Sequence, residues 1–172
     1  DLMIGPFIQF DPVMGKDGPK FVQRFEFQVN LPTGKYDQNK NINPGNNAVS
    51  FDPYWAATYW FNPKWTVSTR LHYLYNFKND DPNYSFGLAD DIQAGQAIHA
   101  NFATDYALTP QLRLGINGYW LKQMTDTEVE GEKLTGTREQ VWAIGPGAMY
   151  SFSKHDHIVT NAYFEQDAKN RP

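Results

Sequence analysis

Apolar side chains recur at every second position along much of the chain, most clearly from Phe51 to Asn76 (FDPYWAATYWFNPKWTVSTRLHYLYN). Trp65, Val67, Thr69, Leu71, Tyr73 and Tyr75 fall on one face, and Thr66, Ser68, Arg70, His72 and Asn76 on the other. A period of two is that of a β-strand. Proline fixes φ and donates nothing to a ladder, so Asn62-Pro63-Lys64 is expected in a tight connection, which makes the stretch a hairpin. Each arm holds about ten residues or more, roughly 33 Å at strand rise, against about five or six residues for an ordinary strand. A strand crossing a bilayer needs roughly 9 to 11 residues, an apolar face toward lipid, a polar face toward a lumen, and aromatic rings near the interfaces. The hairpin meets all of these requirements.

The same alternation predicts further strands on both sides. Leu2 to Phe10 is apolar, with a Gly5-Pro6 interruption that signals a bulge or an edge position, and Asp11 to Pro19 has the Pro, Gly and Asp density of a turn. From Lys20 to Leu31, Phe21, Phe25, Phe27, Val29 and Leu31 oppose Val22, Arg24, Glu26, Gln28 and Asn30. Arg24 and Glu26 are neighbours on one face, so they are placed to pair across an aqueous lumen. Pro32 to Ser50 and Phe77 to Asp90 are long polar loops. Between Asp91 and Leu108, Ile92, Ala94, Ile98, Ala100, Phe102, Tyr106 and Leu108 oppose Gln93, Gly95, His99, Asn101 and Asp105. Thr109-Pro110-Gln111 repeats the tight turn. Leu112 to Gln123 sets Leu112, Leu114, Ile116 and Trp120 against Arg113, Asn117, Tyr119 and Gln123. Asp126 to Gly136 is a third polar loop, Gln140 to Phe152 a strand with a second Gly-Pro interruption, Ser153 to Asp156 a tight turn, and His157 to Gln166 the last strand.

About eight strands thus alternate between tight turns and long loops. Bacterial outer-membrane barrels put short turns at the periplasmic end and long loops outside, whereas jelly rolls and Greek keys need connections that cross the sheet. The expected fold is all-β: an antiparallel up-and-down transmembrane β-barrel, with residues 1–172 as a single barrel domain.

Composition narrows the function. Aromatic residues make up 16% of the chain, mean hydropathy is negative, and no run of eighteen apolar residues occurs. That excludes a helical membrane span but not a barrel, in which only alternate residues meet lipid. The absence of cysteine excludes disulfides, Cys-ligated zinc and thiol catalysis. A net charge of -4 and the lack of any basic run argue against a nucleic-acid partner. Asp1-Leu2-Met3-Ile4-Gly5 has neither a basic n-region nor a small-residue cleavage site. A barrel of this kind is made with such a signal, so a mature or trimmed chain is expected.

Several motifs resemble those of one family: Leu31-Pro32-Thr33-Gly34-Lys35-Tyr36-Asp37, Asn43-Pro44-Gly45-Asn46-Asn47, Tyr59 before a tight turn, and Arg70-Leu71-His72-Tyr73 with Asn76. Gly118-Tyr119 to Asp126, Ile144-Gly145-Pro146 and the closing Asn170-Arg171-Pro172 add to them. In order and spacing they resemble the outer-membrane channel family named for the meta-pathway of phenol degradation, over nearly the whole chain. The resemblance implies a monomeric barrel of about twelve strands in a Gram-negative outer membrane. It also implies passage of small, often hydrophobic molecules, and a chain that lacks the first few strands and the last one.

Candidate chemistry gathers on the polar faces. Arg24, Glu26, Arg70, His72, His99, Asp105, Arg113 and Asn117 are the expected pore lining, where charges of both signs set selectivity. The plainer alternative is ion-pair packing inside a narrow, nearly filled barrel. Tyr36, Tyr54, Trp55, Trp60, Trp65, Trp120 and Trp142 read as interfacial girdle or loop-packing residues, a smaller share meeting an aromatic solute at the mouth. His155-Asp156-His157 is a solvated turn rather than a metal site, and Asn79-Asp80-Asp81 a solvated loop rather than a calcium site. His72 or His99 with Ser68 or Ser151 and Asp105 has the residue types of a Ser-His-Asp hydrolase, without a motif to fix their geometry.

The resulting expectation is a channel for passive uptake of small, aromatic or otherwise hydrophobic molecules, not an enzyme, without metal or cofactor. Its partners are the solute, outer-membrane lipid and lipopolysaccharide. Two rivals are a soluble lipocalin-like barrel, with its apolar face inward, and a membrane-embedded hydrolase. Alternation alone does not say which face points in.

Overall fold

The computed structural model describes residues 1–171. Three short strands come first, β1 (Leu2–Ile4), β2 (Phe7–Gln9) and β3 (Val13–Gly15), then β4 (Gly18–Leu31), β5 (Ser50–Asn62) and β6 (Trp65–Asn76). After β7 (Ile92–Gln93) come β8 (Ala97–Ala107), β9 (Leu112–Gln123), β10 (Thr127–Val129) and β11 (Glu132–Leu134). The chain closes with β12 (Gln140–Ser151), β13 (His157–Asn161) and β14 (Phe164–Lys169). Tyr84–Phe86 is a single 3-10 turn.

One large antiparallel sheet follows chain order, β1-β4-β5-β6-β8-β9-β12-β13. Because β1, β2 and β3 all pair with β4, and β13 and β14 both pair with β12, each edge is one interrupted strand. Eight strands therefore lie side by side, as the alternation predicts. Among the described residues no connection crosses the sheet, so this is an up-and-down meander. Its six full strands have 11 to 14 residues, long enough to cross hydrocarbon at a tilt.

The tight turns share one chemistry. Asn62 Oδ1 accepts from the N–H groups of Lys64 and Trp65 (2.9 and 3.1 Å). Thr109 Oγ1 does the same for Gln111 and Leu112, and Ser153 Oγ for His155 and Asp156. A short side-chain acceptor mimics the backbone and reverses the chain within a few residues. All three turns lie at one end of the sheet. The long segments lie at the other.

Five features differ from the pattern-based expectation. The turn expected over Asp11 to Pro19 shrinks to Lys16-Asp17, because Val13–Gly15 still pairs with β4, and Gly18 takes the positive φ (123°) that re-enters the sheet. The third polar loop contains the hairpin β10–β11, turned at Glu130-Gly131 with both φ values positive, and β7 adds to it as a third strand. For that reason the strand expected from Asp91 begins only at Ala97. Finally, Gly145-Pro146 does not interrupt β12; the break falls in its neighbour, between β13 and β14. Pro146 lacks an N–H, its carbonyl accepts from Ala162 N (3.0 Å), and the absent Cβ of Gly145 lets the Ala162 carbonyl close in. The last strand runs on to Lys169, past Gln166.

The two faces have opposite fates. Phe25, Phe27, Trp65, Val67, Leu71, Phe102, Leu114, Ile116, Trp142 and Ile144 are exposed, Leu71 by 45%. On the other face Tyr54, Thr66 and His72 are buried, His72 to 6% exposure. Val141 is the one large apolar side chain fully enclosed among the described residues, so the sheet does not wrap a dry core. This polarity is that of a barrel in lipid and the reverse of a lipocalin-like one.

Candidate functional site

Register decides which polar side chains meet. Opposite partners run Glu26–Tyr54–His72–His99 across β4, β5, β6 and β8, and Arg24–Ala56–Arg70–Asn101 two residues nearer the turns. Thr66 opposes Asp105, Ala107 opposes Arg113, and Ala103 opposes Asn117. The eight residues expected to line a pore therefore share one face. Along it they fall into three groups.

Nearest the loops, Asp52 stands between two histidines. Its oxygens both lie 3.2 Å from His72 Nδ1, and Oδ1 lies 3.3 Å from His99 Nε2. The two imidazoles stack with centroids 4.1 Å apart, and the Tyr54 ring lies 4.8 Å from that of His72.

In the middle, the Tyr54 hydroxyl donates to Glu26 Oε2 and accepts from Arg24 Nη2. Arg24 and Glu26 approach to 3.4 Å, the pairing expected of neighbours two residues apart. Gln28 Nε2 donates to the other Glu26 oxygen (2.8 Å), and Arg70 lies 4.7 Å over the Tyr54 ring. Burying a carboxylate is costly unless opposite charge and donors replace its water. Glu26 has both.

Toward the turns, Asp105 accepts from Thr66 Oγ1 (2.6 Å) and from Arg113 Nε. Asn117 Nδ2 donates to Asn161 Oδ1 (2.8 Å), reaching across β12 to the edge strand. Between the groups lies a trough of about 710 Å³ whose lining includes Arg24, Arg70, Asp105, Arg113 and Asn117.

The hydrolase constellation does not assemble. Ser68 bonds Thr58 Oγ1 (2.9 Å), Asp105 is engaged by Arg113, Ser151 ends β12 at the turn end, and the carboxylate beside both histidines is Asp52. Pattern reading misses Asp52 because its importance lies in cross-strand neighbours; the one local signal is its shared parity with Tyr54. His155-Asp156-His157 is an exposed turn with Asp156 Oδ2 accepting from Ser153 Oγ (2.7 Å). Asn79 is a loop brace, its Oδ1 accepting from Asp81 N and Asn47 Nδ2. Tyr54 is not a girdle residue but part of the ion network, and Trp60, opposite Thr66, shares its face.

The long loops hold one another. Asn83 Nδ2 donates to the carbonyls of Gln38 and Lys40 (2.8 and 2.7 Å), and Tyr84 N to that of Gln38 (3.1 Å). Arg138 binds both Asp126 oxygens (2.9 and 3.0 Å), and these hydrogen bonds hold the Asp126 carboxyl below the usual carboxylate range. The hydrogen bond to Asp91 at 2.8 Å raises the Lys78 ammonium pKa.

With this geometry in view, the family model described as “Putative MetA-pathway of phenol degradation” matches residues 1–172. The chain belongs to that family. A solved outer membrane channel from Pseudomonas putida superposes with a TM-score of 0.81 at 17% identity, covering 98% of this chain. The chain spans 60% of that channel's length. The fold is thus that of an outer-membrane β-barrel. No curated protein matches the chain. Family membership and the barrel architecture are thus two separate findings, one from the sequence and one from the fold.

Proposed function

We propose that this chain forms most of the wall of an outer-membrane channel in a Gram-negative bacterium, through which small, aromatic or otherwise hydrophobic molecules diffuse. One observation carries the reading: the side chains a lipid would contact are exposed, while charges of both signs are paired on the opposite, enclosed face. A wall so built keeps a polar path beside Arg24, Glu26, Arg70, Asp105, Arg113 and Asn117, with His72 and His99 just below the loops. Diffusion down a gradient needs no reacting group. Ion pairs that neutralise one another leave a wall without a strong field, which suits an uncharged solute. The phenol-degradation description of the family favours an aromatic one.

Among the described residues the two edge strands, β1–β3 and β13–β14, each pair on one side only, which supports a single barrel domain completed by strands outside this chain. In a bilayer such edges are unsatisfied until closed. The closed barrel acts as a monomer, its apolar face against lipid and, around the outer leaflet, lipopolysaccharide. The long loops face outward.

The test uses the full-length protein in a planar bilayer and in liposomes loaded with a phenol-responsive fluorophore. Discrete conductance steps with faster phenol entry than in empty liposomes are expected. A protein that inserts yet produces neither removes the transport reading.

A further inference from the structure

Among the described residues, each acidic side chain on the polar face of β4, β5 and β8 except one has an arginine beside it. Glu26 has Arg24 and Asp105 has Arg113. Asp52, mostly enclosed, has only the imidazoles of His72 and His99. His72 is buried, with Nδ1 against Asp52 and Nε2 without a hydrogen-bond partner.

We propose that Asp52, His72 and His99 bind one divalent transition-metal ion of the zinc, cobalt or nickel class at the loop end of the polar face. The donor set is two neutral imidazoles and a carboxylate, the borderline ligands such ions select over calcium or magnesium. One donor atom from each residue lies within 4.8 Å of the others. The two Asp52–imidazole separations, 3.2 and 3.3 Å, match the roughly 3.3 Å between donors around a tetrahedral ion bound at about 2.0 Å.

The donors come from three adjacent strands. His72 and His99 are opposite partners. Pairing of β5 with β6 skips from Phe51–Tyr75 to Tyr54–His72, since Pro53 has no N–H to give, which leaves Asp52 free to lean toward the histidines. Binding requires the stacked rings to rotate until both lone pairs meet one point. His99, whose side chain is about a quarter exposed, is the ring with room to turn and the route of entry from the lumen. On binding, each metal-bound nitrogen presents its lone pair and keeps its proton on the other ring nitrogen. Water completes the fourth position. Protons compete for the same lone pairs, so affinity falls as the pH is lowered.

The test is a Co²⁺ titration of the full-length protein, refolded in detergent, reading visible d–d absorption and then displacement by Zn²⁺. Expected is one Co²⁺ per chain, displaced by Zn²⁺, with affinity at least about tenfold weaker in His99→Ala and in Asp52→Asn. Wild-type protein that binds no Co²⁺ overturns the proposal, and so does binding by His99→Ala and Asp52→Asn as tight as that of the wild type. Binding at His155 or His157 instead is recognised by loss of the spectrum in His157→Ala, and that result also overturns it. The readout involves no conduction, so this proposal and the transport reading fail separately.

Discussion

Arg113 shows how single residues stabilise this wall. Its guanidinium neutralises Asp105, and Thr66 supplies the second donor (2.6 Å). Arg113→Ala leaves a partly enclosed carboxylate with one hydroxyl. A lost partner of this kind costs about 1–3 kcal/mol when buried, and partial exposure of both side chains sets the expectation near 1 kcal/mol. Urea unfolding of the protein refolded into vesicles, followed by tryptophan fluorescence, checks this, and an unchanged midpoint would remove the pair's structural role. The polar character of these positions was legible from alternation. Their partners were not, because residues about 40 apart in the chain, such as Thr66 and Asp105, become neighbours only through register.

Within elements, β12 contains two glycines whose replacements are expected to differ. A Cβ at Gly145 would overlap the Ala162 carbonyl, which is backbone and cannot swing away. A Cβ at Gly147 would meet the Asn117 and Asn161 side-chain ends, which can. Overpacking costs about 1–3 kcal/mol where neighbours do not yield. Gly145→Ala should therefore lower the unfolding midpoint and expose the β13–β14 edge to limited proteolysis, while Gly147→Ala changes both far less. Equal effects would mean the close approach at Ala162 is not what holds the edge. The Gly-Pro pair was visible as a breaker in the sequence, yet it bends the strand beside it. A local motif reports strain without saying which of two bonded strands absorbs it.

For the whole molecule, the decisive matter is which face meets lipid. Leu71, at 45% exposure, lies on the apolar face of β6. An arginine there near the bilayer midplane costs about 2–4 kcal/mol, whereas one facing the lumen costs little. Leu71→Arg is expected to block insertion, seen as loss of the heat-modifiable gel shift of a folded barrel, and Ser68→Arg to insert normally. Normal insertion of Leu71→Arg would sink the assignment of faces.

Strand parity, the tight turns and the meander order follow from the linear chain, because backbone geometry alternates side chains and Asn, Thr and Ser reverse it locally. The β10–β11 hairpin, the late start of β8 and the grouping of Asp52 with His72 and His99 do not. They depend on which strands lie adjacent and in what register, a choice made by hydrogen-bond ladders closing over distances no local pattern encodes. The direction of the apolar face belongs to the same class: alternation separates two surfaces, and only the curvature of the assembled sheet says which of them is enclosed.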